Sequence, residues 1–237
     1  MTDGQFGQQG TSDASTEFAV LAFIVRQALG KVRTGVVVKV LAVHGGGVGV
    51  APTVDVQPVV NQIDGIGTAT AHGKIFNVPV ARIQGGTNAI IIDPQVNDIG
   101  LMVVSDRDIS AAKANNGAVS NPGSYRRHNL ADGSYIGALL MPGTPNQYII
   151  INTAGIKIVD SHGNVIQTTS AGITMTDANS NSIAMGSSGI NLNGVVIDQS
   201  GNIKAPGGVT AGFGGADSVT LQHHVHTGNN IVPTPGT

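Results

Sequence analysis

The sequence predicts an all-β protein in which a small barrel is followed by a repetitive β-fibre. Three observations predict it: the composition, a run of short alternating strands in the first half, and a 17-residue repeat in the second. Apolar residues make up 41% of the chain and charged residues only 11%, against about 25% in ordinary globular domains. Mean hydropathy is +0.15 and net charge is −2, which excludes a disordered chain. Val and Ile supply much of the apolar content and favour pleated structure, while 34 Gly provide turns. So weak a charge gives no electrostatic footprint for nucleic acid. With no Cys, disulfides, thiolate metal sites and a Cys nucleophile are excluded.

Residues 1–30 read as an N-terminal arm and a helix. The arm is rich in Gly, Gln, Ser and Asp. Over 16–29, Phe18, Leu21, Ala22, Val25 and Leu29 follow helical periodicity, with Thr16 or Ser15 to cap the start and Gly30 to close the end. Val20, Phe23 and Ile24 widen the apolar face, so burial is expected on more than one side, by the helix's own domain or by a partner. The opening does not read as a secretory leader. It begins with acidic Asp3, and the apolar run from Phe18 to Val25 is bracketed by Glu17 and Arg26 and is too short to span a bilayer. Export is expected by another route, or within a larger assembly.

Residues 31–110 carry the candidate strands Arg33–Val43, Thr53–Val60, Lys74–Ile83, Thr87–Ile92 and Ile99–Ser105. Val54, Asp55, Val56 and Gln57 alternate as a half-buried strand does, and Pro58 argues for an edge position or a bend there. Five short strands in this span fit a small closed barrel, for which the OB-fold is the commonest choice. Residues 111–147 read as a linker, with turn chemistry at Asn115-Asn116-Gly117, Asn121-Pro122-Gly123 and Pro142-Gly143-Thr144-Pro145.

Residues 148–220 hold the repeat. Gly155-Ile156-Lys157-Ile158, Gly172-Ile173-Thr174-Met175 and Gly189-Ile190-Asn191-Leu192 recur every 17 residues. Between and after them come Asp160-Ser161-His162-Gly163-Asn164, Asp177-Ala178-Asn179-Ser180-Asn181 and Asp198-Gln199-Ser200-Gly201-Asn202, each a tight-turn pattern in which Asn or Gly is expected at positive φ. Short strands and turns at a fixed period are the signature of a solenoid or fibre. One chain could coil on itself, or three chains could wind together and each supply one face. Only six formal charges fall between Ile149 and Thr220, and a three-chain fibre leaves no open sheet edge, so the trimer is favoured.

Residues 221–237 form the expected apex. Three of the seven His, namely His223, His224 and His226, fall within four positions. On an extended chain, His224 and His226 point the same way and His223 elsewhere. Around a threefold axis the pair becomes six imidazole nitrogens, which suits an octahedral transition ion such as iron better than four-coordinate zinc. With every position filled by protein, such a metal is structural and locks three chain ends together.

Other motifs fail. Gly73-Lys74 lacks both the preceding Gly and the following Ser or Thr of a phosphate loop. Gly45-Gly46-Gly47-Val48-Gly49 lacks the third Gly of a dinucleotide fingerprint and reads as a turn. There is no nucleophile elbow, and Glu17 is the only Glu. Asp106 and Asp108 flank Arg107 just after a strand end and read as a solvated charged turn. His44, His72, His128 and His162 are scattered, so no catalytic set is expected and the chain reads as a non-enzyme.

Together these pieces resemble the central spike proteins of contractile-tail phage baseplates, over nearly the whole chain. Four stretches carry the likeness. Asn97-Asp98-Ile99-Gly100-Leu101-Met102-Val103-Val104-Ser105-Asp106-Arg107-Asp108-Ile109-Ser110 looks like the end of that family's OB domain, and Arg126-Arg127-His128-Asn129-Leu130-Ala131-Asp132 is similar to its linker. The other two are the Gly-Ile repeat with its Asp turns, and His224-Val225-His226 near the end. The resemblance implies an N-terminal helix and OB-fold barrel followed by a homotrimeric triple-stranded β-helix spike. It implies one iron ion per trimer held by His224 and His226, attachment to a baseplate hub protein, a place at the tail tip of the virion, and puncture of the host outer membrane on contraction. Some relatives carry a lysozyme domain between barrel and helix; residues 111–147 leave no room for one, so no cell-wall hydrolysis is expected. The few charges suit passage through lipid, where each is costly. The competing expectations are a receptor-binding trimeric tail fibre, a spike of the secretion-system type, and a small metalloenzyme. The last lacks any Asp or Glu within five residues of His224.

Overall fold

The computed structural model describes residues 10–141, 143–211 and 219–220. The chain is all-β with few helices, and divides into two compact units, 1–142 and 143–237.

The first unit opens with helix α1 (Glu17–Leu29). Its start is capped as the sequence predicts: the Thr16 side chain accepts a hydrogen bond from the Ala19 N–H at 3.1 Å. Arg26 reaches back to Asp13 in an ion pair. None of its residues is buried, and Phe18 stays 80% exposed, so the described residues of its own unit leave much of the apolar face open. Among the described residues no helix is long and apolar enough to cross a membrane.

Strands β1 (Gly35–His44), β2 (Thr53–Pro58), β3 (Gln62–Ile63), β4 (Ala69–Thr70), β5 (Ile75–Pro79), β6 (Ile83–Gly85), β7 (Asn88–Ile90) and β8 (Ile99–Val104) follow, then helix α2 (Ser110–Ala114) and β9 (Gly133–Ala138). The main sheet runs β5-β2-β1-β8-β9, every neighbouring pair antiparallel. Its two ends meet. Val80, one residue past β5, bridges Tyr135 in parallel, and the Ala81 N–H donates to the Tyr135 carbonyl at 2.8 Å. Period-two alternation points Val38, Val40, Val54, Val56, Val78 and Met102 inward, where Tyr135 joins them. β3–β4 and β6–β7 are separate two-stranded hairpins.

Three expectations change here. The fourth predicted strand, Thr87–Ile92, does not enter the main sheet; its residues 88–90 pair only with β6. The fifth strand is instead β9, within the stretch 111–147 expected as linker. β9 pairs with β8 and its Tyr135 fills the core, a role set by a distant partner strand and hidden behind flanking Gly133 and Gly137. Nor is β2 an edge: it lies between β1 and β5, and Pro58 ends it.

The charged turn after β8 is also not solvated throughout. Asp106 and Arg107 are exposed, but Asp108 is buried, as is Asp132. Arg126 joins the two: its Nε donates to Asp132 Oδ2 at 2.7 Å, and its Nη2 to Asp132 Oδ1 and Asp108 Oδ1 at 2.8 Å each. The Ile109 N–H donates to Asp132 Oδ1 at 3.1 Å, and the Ser124 hydroxyl to Asp108 Oδ2 at 2.6 Å. Hydrogen bonds from Ser110, then from Ser124, hold the Asp108 carboxyl well below the usual carboxylate range, and the Arg126 charge adds to this. This clamp ties the segment after β8 to the segment before β9. Arg126→Ala removes the cation from two buried carboxylates, so the first unit's unfolding midpoint is expected to fall by about 10 °C. Arg126→Lys should recover only part, because a point charge cannot reproduce the guanidinium fork. An unchanged midpoint in a thermal melt would rule the clamp out as a stabilising feature.

In the second unit, β10 (Tyr148–Asn152), β11 (Gly155–Val159), β12 (Val165–Thr169), β13 (Gly172–Thr176), β14 (Ser182–Gly186), β15 (Gly189–Leu192), β16 (Val195–Ile197) and β17 (Ile203–Lys204) form one antiparallel sheet in chain order. A further pair joins β18 (Thr210–Ala211) to β19 (Val219–Thr220). Each 17-residue repeat is thus two strands, one opened by the repeat glycine and one intervening. The described strands run as an open meander and do not coil on themselves.

Candidate association face and apex

The meander registers place the apolar repeat positions in two rows on one face of the sheet. One row crosses Ile149, Ile158, Ile166, Met175, Ile183, Leu192 and Val195. The other crosses Ile151, Ile156, Thr168, Ile173, Met185, Ile190, Ile197 and Ile203. Directly opposed residues share a face, so Thr168 is the one polar member of either row. Lys157, Gln167, Thr174, Asn191 and Lys204 lie on the opposite face.

Nothing in the chain's own sheet covers this face. Ile173, Ile183 and Leu192 each keep 40% of their surface, and Ile151 77%. Taken together, the exposed row members leave on the order of 1,000 Å² of apolar surface, above the ~300–600 Å² of a typical monomer's largest patch. It matches or exceeds the ~800 Å² per partner of a standard stable interface. The sequence signal for this face was the Gly-Ile-x-apolar unit. The intervening Ile166, Ile183 and Met185 complete the rows, and only the register reveals them.

The turns hold the register. In each Asp turn one carboxylate oxygen accepts two backbone N–H groups: Asp160 Oδ1 from His162 and Asn164, both at 2.9 Å, and Asp177 Oδ1 from Asn179 at 2.9 Å and Asn181 at 2.8 Å. The other oxygen takes the turn's own Asn side chain, at 2.6 Å in the first turn and 2.8 Å in the second. Asp198 repeats the pattern and also pairs with Lys204 at 3.1 Å. Hydrogen bonds from Asn202, with Lys204 contributing, lower the Asp198 carboxyl to about 2. Both oxygens of all three carboxylates are therefore engaged in shaping turns. Positive φ falls on the fourth position, at Gly163, Ser180 and Gly201, and not on the closing Asn. Neighbouring turns are bonded too: Asn164 Oδ1 accepts from the Ala178 N–H at 3.2 Å, and Gln199 Nε2 donates to the Ser187 carbonyl at 2.8 Å.

The predicted apex residues, His223, His224 and His226, lie outside the described residues. Among the described residues no group of three or more His, Asp or Glu side chains is arranged to hold a metal ion. No family model and no curated protein matches the chain.

Proposed function

We propose that this chain is the central spike of a contractile phage tail: a homotrimer at the baseplate tip, driven through the host outer membrane when the sheath contracts. The observation that carries the reading is the pair of uncovered apolar rows on β10–β17. Three such sheets with their rows turned inward would make a triple-stranded β-helix with an apolar core and the lysine-bearing face outside. That arrangement removes the open apolar surface and suits a rod that transmits an axial push. The first unit supports the reading as well: five strands closed by a parallel bridge fit an OB-fold, the expected mount on a baseplate hub protein. His224 and His226 of three chains would hold one iron ion at the tip, acting as a cross-link and not as a reaction centre. Sheath contraction supplies the energy, so no catalytic residue is assigned.

A receptor-binding trimeric fibre would share the rows and the symmetry, and infection assays separate the two. In virions carrying His224→Ala/His226→Ala, piercing predicts normal adsorption with infection strongly reduced. Loss of adsorption itself would favour the receptor-binding fibre.

A further inference from the structure

Helix α1 has two unlike sides. At about 100° per residue, Phe18, Leu21, Ile24, Val25, Ala28 and Leu29 fall within one arc of about 140°. All six are exposed, Phe18 by 80%, Leu21 by 62% and Leu29 by 63%. Ala19, Val20, Ala22, Phe23 and Gln27 lie on the other side and are half-buried, so the contacts that α1 makes among the described residues are there. Arg26, on that side too, is held by Asp13. A helix of 13 residues draws most of its stability from the packing of an apolar face, and this face stays open.

The spacing says what fits it. With Phe18 at the a position of a heptad, the a and d positions are Phe18, Leu21, Val25 and Ala28. Ile24 then takes g and Leu29 the following e, the two positions that meet between neighbouring helices when the helices run parallel. One partner helix covers a narrow a/d seam; an arc this wide suits two neighbours at once, as around a threefold axis. The one charged residue on this side, Glu17, stands at the outer g position of the first turn, so parallel copies bring no charge to the axis. The area points the same way. The stripe offers on the order of 500 Å² of apolar surface, short of the ~800 Å² per partner of a standard interface, and would hold a separate protein weakly. Copies already joined through the meander rows need far less, because the joining raises their effective concentration. We propose that three copies of α1 pack in parallel as a coiled-coil bundle, with Phe18, Leu21, Val25 and Ala28 facing its axis. The bundle rests on the trimeric reading of the chain.

The chain has no Cys, so a single introduced thiol reports on its own surroundings. Ala28→Cys places one at the seam, and Ala19→Cys places one on the other side of the same helix. Each full-length variant is weighed by light scattering under reducing conditions, then oxidised with diamide and run on a non-reducing gel. The expected mass is three chains. Disulfides in Ala28→Cys should form at least about tenfold faster than in Ala19→Cys. Linkage should stop at about two thirds of the chains, because three thiols around one axis make one disulfide and leave one over. A three-chain mass with equally slow linkage at both positions would overturn the bundle and leave the trimeric reading standing. Complete linkage into pairs in Ala28→Cys would overturn it as well, by showing a twofold contact. A single-chain mass would overturn both.

Discussion

On the trimeric reading, replacing Ile173 and Ile190 with aspartate is expected to leave a protein that sediments as a single chain. The two residues lie in the same apolar row, each one step from Met185 across the sheet. In one chain they keep 40% and 37% of their surface, so a carboxylate there can still reach water. In a three-chain core it cannot. Each chain would bring two unpaired carboxylates to the shared interior, at several kcal/mol apiece. Thr174→Asp, one residue from Ile173 but on the opposite face, is the matched control and should leave the mass unchanged. If both variants keep the wild-type mass in analytical ultracentrifugation, the rows are not the association face.

Gly172→Ala should dismantle the meander. Gly172 sits at φ +138°, a conformation that L side chains rarely adopt. A Cβ there would lie 1.9 Å from the Met185 carbonyl oxygen, which belongs to the strand it pairs with. Backbone cannot yield as a flexible side chain does, so strain and displacement together should cost on the order of 3–5 kcal/mol. Gly155 and Gly189 stand in the same relation to Thr168 and Ile197. The 17-residue spacing of glycine in the sequence is therefore the spacing of close backbone approach. Gly201→Ala, where nothing lies within 4 Å of the added carbon, is expected to cost much less. Loss of β-sheet circular dichroism in Gly172→Ala but not in Gly201→Ala would support this account. Equal melting midpoints would contradict it.

What could be read from the sequence was local. Thr16 as helix cap, the alternation of Val54 and Val56, and the Asp turns depend on neighbours within a few residues, and their chemistry is written in order along the chain. What escaped depends on distant partners. Gly133-Ser134-Tyr135-Ile136-Gly137-Ala138 reads as part of a linker until Met102 is set opposite Tyr135. Asp108 looks solvated until Arg126, eighteen residues on, reaches both it and Asp132. The apolar face was half visible: glycine-led strands announced themselves by their repeat, while Ile166 and Met185 entered it only through pairing.

The most direct test of the trimeric spike joins light-scattering mass to elemental analysis of untagged protein, wild type beside His224→Ala/His226→Ala. The account predicts three chains per particle and one iron per three chains, with the iron lost in the double variant. A metal-free single chain in the wild type would contradict it.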